Sequence, residues 1–197
     1  MMTTIKIADA EEMHLPGITD IYAHAVENGT ATYELEPPTL ADMTQRFLML
    51  RANGYPYLVA TLDEIVIGYA YGGPFRAREA YRFMVEDSIY LSPAAQGKGL
   101  GKMLLKTLID TCTAAGYRQL LAVIGDATPQ SASVRLHTRM GFRNIGIVQG
   151  SGYKHGRWLD TGFMQLELNE GNRAAPNEDS VPERYYRENL AKRVVPS

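Results

Sequence analysis

Residues 92–110 read "SPAAQGKGLGKMLLKTLID". Ser92-Pro93 closes an extended run, Gly97, Gly99 and Gly101 fall at alternate positions, and an apolar stripe from Leu100 to Leu108 follows at helical spacing. The reading is strand, glycine loop, helix. The first turn of a helix leaves its N–H groups unpaired and carries about half a positive charge. Glycine lets an anion approach that backbone without meeting a Cβ. A pyrophosphate cradle is one use of such a loop; plain turn geometry is the other. Spacing removes two nucleotide motifs. Gln96 stands where a P-loop needs its first glycine, and Lys102 stands where a dinucleotide fingerprint needs its third. What remains is Q-x-x-G-x-G, from Gln96 through Gly99 to Gly101.

Upstream, "RFMVEDSIYL" (82–91) predicts the strand that feeds this loop, and "RQLLAVIG" (118–125) is apolar enough for a central strand beyond the helix. "YLVATL" (57–62) and "IVIGYAYGG" (65–73) predict a hairpin around Asp63-Glu64, which is not a favoured primed-turn pair. "TIKIAD" (4–9) predicts a first strand, and Asp9 with Glu12 a capping box for a helix reaching about Val26. Thr39 predicts the cap of a second helix that ends at Gly54. Ser131 and Gly141 bracket a short helix; 142–148 and 161–168 read as strands around a glycine-rich connection, "QGSGYKHGRW". A strand–helix–strand crossover with antiparallel strands before it makes the class mixed α/β. Residues 169–197 form a polar linker followed by a second capping-box pattern, Ser180 with Glu183, which predicts a short terminal helix or a disordered tail after a 1–168 domain.

Of 197 residues, 45% are hydrophobic and 21% charged, with a net charge of −2, so no global basic field draws the chain to nucleic acid or anionic lipid. Cys112 is the only cysteine, which forbids an internal disulfide and fits a reducing compartment. The first residues lack an apolar signal region, and no run approaches the roughly 20 apolar residues of a membrane span. The expectation is a cytoplasmic protein with neither a nucleic-acid nor a membrane partner. His14, His24 and His155 lack metal-ligand spacing, so no metal is expected.

The Q-x-x-G-x-G stretch and "SASVRLHTRMGF" (131–142) together resemble the two signatures of the GNAT superfamily of N-acetyltransferases. "AVENGTATYELEPPT", "GYAYGGPFRAREAYR", "VEDSIYLSP" and "KHGRWLDTGFMQLEL" are similar to its phosphinothricin and methionine sulfoximine/sulfone acetyltransferase branch. The resemblance implies a strongly curved mixed sheet, splayed between its fourth and fifth strands, with acetyl-CoA as co-substrate. Ser88, Ile89, Tyr90 and Leu91 would line the pantetheine arm. Gln96, Gly97, Lys98, Gly99, Leu100, Gly101 and Lys102 would hold the pyrophosphate. Gln130 stands where related chains carry a pantetheine-binding asparagine. Glu86 matches the family's general base, and alternation sends Asp87 to the other face. The Leu91 N–H would polarise the thioester, and His137 would protonate the leaving sulfur or be a structural histidine. A small amino-acid-like acceptor would meet Phe75, Arg76, Arg78 and Arg82, whose guanidinium forks suit carboxylates and phosphinates, along with Val85, Glu86, Thr32 and Tyr33. Lys154, His155 and Trp158 would close that pocket from the second subunit of a homodimer. Two other readings stay open: a peptide or protein N-acetyltransferase, and a non-catalytic acyl-CoA sensor.

Overall fold

The computed structural model describes residues 4–194; residues 1–3 and 195–197, the outer ends of the two expected domains, lie outside the described residues. Seven strands form one open sheet in the order β1-β2-β3-β4-β5-β7-β6. They are β1 (Ile5–Asp9), β2 (Tyr57–Leu62), β3 (Ile65–Pro74), β4 (Met84–Leu91), β5 (Gln119–Gly125), β6 (Arg143–Lys154) and β7 (Arg157–Glu167). Every pairing is antiparallel except β4 with β5. That parallel pair needs a crossover, supplied by α3 (Leu100–Ala114). Pairing runs from Met84↔Gln119 to Asp87↔Ala122 and stops there, so the last halves of β4 and β5 diverge.

The two faces of the sheet are buried separately. On one, Leu100, Leu104, Leu105, Leu108 and Cys112 of α3 pack on Ala70, Val85, Leu120 and Met164. On the other, α1 (Leu15–Asn28) and α2 (Leu40–Ala52) lay Ile18, Tyr22, Val26, Met43 and Phe47 over Tyr57, Tyr69 and Tyr90. Each fully buried leucine contributes about 2 kcal/mol of transfer free energy.

Glycine ends three helices in the same way. Gly54, Gly116 and Gly141 have φ of +75°, +87° and +91°. In each case the next residue's N–H closes a Schellman loop: Tyr55 onto Leu50 O (3.0 Å), Tyr117 onto Cys112 O (3.1 Å) and Phe142 onto His137 O (3.0 Å). The Gly-Phe after α4 (Ala132–Arg139) thus has a physical reason, because Phe142 folds back with its ring edge-on to His137 at 4.9 Å.

Two sequence expectations are corrected. Asp9 does not cap α1. It pairs with Leu58 in β1, and a short 3-10 turn at Glu12–His14 precedes the helix, with the Glu11 N–H donating to His14 Nδ1 at 3.0 Å. The glycine-rich stretch 149–158 is not a loop. It continues β6 and β7 as a hairpin turning at His155-Gly156, whose φ values of +51° and +74° suit a tight primed turn. The other hairpin, at Asp63-Glu64, also takes positive φ (48° and 65°) despite its residue types.

The tail forms α5 (Val181–Val194) and packs on the body rather than running free. Among the described residues no helix is long and apolar enough to cross a membrane.

Candidate active site

The site grows from the point where β4 leaves β5. The Ser92 N–H donates to Ile67 O at 3.0 Å, so the backbone groups of residue 92, and by alternation those of 90 and 88, point toward β3. The N–H and C=O groups of Ile89 and Leu91 therefore point the other way, into the gap where β5 no longer pairs. Tyr90 also lines the gap, but it turns its backbone to β3 and its ring to the α1 face, where Tyr22 meets it edge-on at 5.0 Å.

A cleft of about 600 Å³ opens along this gap. Its walls are the ends of β4 and β5, the chain just past α1 (residues 28–31), Gln96, Gly97 and Gly101 before and within α3, and Ser131, Ser133, Leu136 and His137 of the α4 segment. Gly97 and Gly99 have φ of +73° and +84°, and a Cβ on either would meet nothing within 4 Å, so the space above them is clear. No side chain caps α3; the Lys102 N–H donates to Gly99 O at 3.1 Å, which leaves the Leu100 and Gly101 amides available in the first turn, and the Lys98 and Lys102 side chains are exposed beside them. A cradle with free amides, bare glycines and two cations fits a pyrophosphate. Gly101 is bare for a different reason, since a Cβ there would press on Leu136 Cδ2 at 3.3 Å. Leu100 is core. Gln130 is exposed and outside the cleft, with its carbonyl taken by Arg135; Ser131 and Ser133 stand in the wall instead.

Alternation along β4 sorts the acids. Asp87 faces α3 and α4 with Val85, Ile89 and Leu91, while Glu86 and Ser88 share the face of Tyr90. Burial pushes the Glu86 carboxyl up to about 7, and the nearby Asp87 charge adds to the shift. Ser88 is hydrogen-bonded to Tyr71 on the same face.

Asp87, set aside in the sequence, is not idle. His137 Nε2 lies 3.0 Å from Asp87 Oδ2, and His137 Nδ1 lies 2.8 Å from Ser133 O. Nδ1 also lies 3.3 Å from the Ser133 hydroxyl, which can donate to it, so an Nε2 proton is directed at Asp87 in either charge state of the ring. Burial opposes a charge on His137, but the Asp87 hydrogen bond and charge outweigh it and raise its pKa. Asp87 Oδ1 is buried without a hydrogen-bond partner. Both side chains line the cleft. Alternation announced Asp87's face; the partner, 50 residues on, had no sequence signal.

The expected acceptor residues are not all brought together. Phe75 and Tyr81 meet edge-on at 5.4 Å, with the Arg76 guanidinium 5.2 Å from the Phe75 ring; Arg76 and Arg78 are exposed. Arg82 does not join them, because its guanidinium is spent on Glu183 of α5. Val85 is fully buried core. Tyr33 is wedged against Gly125 and Gly152, accepts from Thr161 Oγ1 at 3.0 Å and stands near the cleft rather than beside Glu86. Lys154 and His155 reach their own chain: Lys154 Nζ donates to Thr32 O at 2.9 Å, and His155 Nε2 lies 3.1 Å from Gly29 O. Trp158 is 68% exposed. A missed group lies on the Glu86 face, where the Tyr22 hydroxyl donates to Glu34 Oε1 at 2.9 Å and Arg46 grips both Glu34 oxygens at 2.7 and 3.2 Å. Among the described residues no cluster of three or more His, Cys, Asp or Glu could hold a metal ion.

Comparison with known proteins agrees with this geometry. The acetyltransferase (GNAT) family model matches residues 18–142. The chain is 46% identical over 173 residues to the phosphinothricin N-acetyltransferase of Alcaligenes faecalis, covering 88% of this chain and 86% of that one. It is 40% identical over 177 residues to the L-methionine sulfoximine/L-methionine sulfone acetyltransferase of Salmonella typhimurium, covering 88% and 98%. The crystal structure of a GNAT superfamily phosphinothricin acetyltransferase from Sinorhizobium meliloti, in complex with acetyl-CoA, superposes with a TM-score of 0.88 at 52% identity, covering 91% of this chain and 97% of that one.

Proposed function

Because the chain belongs to the acetyltransferase (GNAT) family, we propose that it moves the acetyl group of acetyl-CoA to the amine of a small amino-acid analogue of the phosphinothricin, methionine sulfoximine or methionine sulfone type. The observation that carries this reading is the end of β4, which offers the backbone of Ile89 and Leu91 to the open gap while Glu86 sits on the neighbouring face with a carboxyl raised to about 7.

Acetyl-CoA supplies an activated acyl group as a thioester. Ile89 and Leu91 bind its pantetheine arm as a neighbouring strand would, and the amides from Gly97 to Gly101, with the Lys98 and Lys102 side chains, hold its pyrophosphate. An alkylammonium with a pKa of about 10 is mostly protonated at neutral pH. Glu86, itself basic near neutrality, takes that proton. The Leu91 N–H donates to the oxyanion that develops on the acyl carbon, a contact whose loss typically costs about 10²–10³ in rate. His137, whose Nε2 is directed at Asp87 and Nδ1 at Ser133 O, braces the cleft wall, and the departing sulfur takes the proton that the attacking nitrogen sheds on forming the amide. Arg76 and Arg78 draw the acceptor's carboxylate to the end of β4 where Glu86 lies.

A homodimer belongs to the same proposal. The edge strand β6 and its hairpin partner expose Ile145, Ile147, Val148, Tyr153 and Trp158 at 45–68%, an apolar band suited to a second copy. The lone buried thiol fits a cytoplasmic setting.

The deciding experiment follows thiol release from acetyl-CoA across a panel of amines. Phosphinothricin, methionine sulfoximine and methionine sulfone are expected to outrun plain amino acids and peptide N-termini by more than tenfold. Equal rates across all carboxylate-bearing amines, or faster turnover of peptides, would overturn the acceptor assignment. Binding of acetyl-CoA without release for any amine would leave an acyl-CoA sensor.

A further inference from the structure

Arg82 joins the acceptor loop (residues 75–81) to β4, four residues before Glu86. Its guanidinium is held on every side. Nε and Nη2 each meet Glu183 Oε2 at 2.9 Å, and Nη1 donates to Glu79 O at 3.0 Å. The Phe83 and Tyr186 rings lie on it, each with its centroid 4.4 Å from Cζ. Glu183 is fixed in turn by Arg187 Nε at 3.1 Å. The partners Glu183 and Tyr186 both come from α5, in the segment that follows the family domain.

That segment is seated on the body at several points. Cβ atoms at Gly54 and Gly116 would collide with Tyr185 and Ser180, each at 2.5 Å, so the glycines that end α2 and α3 also clear a seat for the tail. The Val181 N–H donates to Ala115 O at 2.8 Å. Arg118 holds the linker by donating to the carbonyls of Gly171, Ala174 and Ala175 at 2.7, 3.0 and 3.3 Å. A tail docked this firmly is part of the fold, and its Glu183 carboxylate is aimed at Arg82.

We infer that Glu183 is a positioning residue for the acceptor site: with Tyr186 it clamps Arg82, fixes the base of the 75–82 loop, and so sets where Arg76 and Arg78 meet the acceptor relative to Glu86. Arg82 then acts through the loop and does not touch the acceptor. The inference rests on the proposal that this loop binds the acceptor's carboxylate. Small displacements of positioning groups cost rate steeply, because reaction needs near-attack geometry.

The test is steady-state kinetics of the full chain with both substrates varied. Glu183→Gln, which keeps shape and removes the charge, should raise the acceptor KM roughly tenfold and leave the acetyl-CoA KM unmoved. Tyr186→Leu, which removes the stacked ring and keeps the ion pair, should move the acceptor KM in the same direction. Arg82→Gln combined with Glu183→Gln should be no worse than either alone, as for residues acting as one unit. Two results would overturn the clamp: an unchanged acceptor KM in Glu183→Gln, or equal increases in both KM values. Arg76→Gln separates the layers. If it raises the acceptor KM while Glu183→Gln does not, only the clamp fails; if Arg76→Gln also has no effect, the loop is not the acceptor site.

Discussion

A half-buried carboxyl that titrates near neutrality costs its fold something. The Glu86 pKa in the folded chain, about 7, lies above its ordinary value of 4.5, with burial the leading cause and the Asp87 charge the second. Between these two values the folded chain keeps a proton that the unfolded chain has released. Stability contributed by Glu86 is therefore present below about pH 4.5, falls as pH rises toward 7, and stays lost above that. Glu86→Gln should abolish most turnover, by about 10²–10⁴-fold, yet unfold at higher denaturant than the parent at pH 8 and at equal denaturant near pH 4. Lower stability of the variant at pH 8 would mean that the carboxylate is welcomed where it sits, and would remove the basis for its basicity. Glu86 was legible because a strand motif and its alternation named it. The Asp87–His137 contact and the Arg82–Glu183 pair were not, since each joins residues separated by 50 or 101 positions, and nothing in the sequence links one partner to the other.

Among elements, the glycine loop before α3 has two kinds of glycine. Gly99 serves backbone conformation and open space, whereas Gly101 serves packing against Leu136 and Leu91. Gly99→Ala should cost about 1 kcal/mol for the left-handed backbone and raise the acetyl-CoA KM with the acceptor KM unchanged, measured by thiol release and thermal unfolding. A rise in the acceptor KM alone would sever this loop from the cofactor. The strands and helices around it were readable from period and punctuation: Thr39, Gly54, Ser131 and Gly141 all act as the sequence suggests. The β6–β7 hairpin was not, for a physical reason. Its glycines read as breakers, but register shifts after Asn144 and Val148 absorb Gly146 and Gly150 into an edge strand with almost no buried face to signal it. The Asp9 cap failed because β1–β2 pairing, a long-range event, claims that residue first.

For the whole molecule, the sheet has two edges, and β6 is the longer one and the one that exposes large apolar side chains. If the proposed dimer forms through this edge, Ile147→Glu should shift the protein from dimer to monomer in sedimentation analysis, with the fold retained; an unchanged sedimentation coefficient would exclude this edge as the contact. The succession of elements along the chain and the crossover were legible because local periods and connection rules leave few arrangements; the place of β7 between β5 and β6 was not. The packing of the tail onto Gly54 and Gly116 was not, since surface docking of a polar helix leaves little periodic trace. One buried atom has a practical corollary. The sulfur of Cys112 is fully covered under α3, and burial first, with the Asp87 charge, pushes its pKa to about 12. Chromogenic disulfide reagents should thus remain blind to the native polypeptide, so any colour they develop during turnover counts liberated coenzyme alone, and a late extra equivalent per chain marks the moment the core itself comes open.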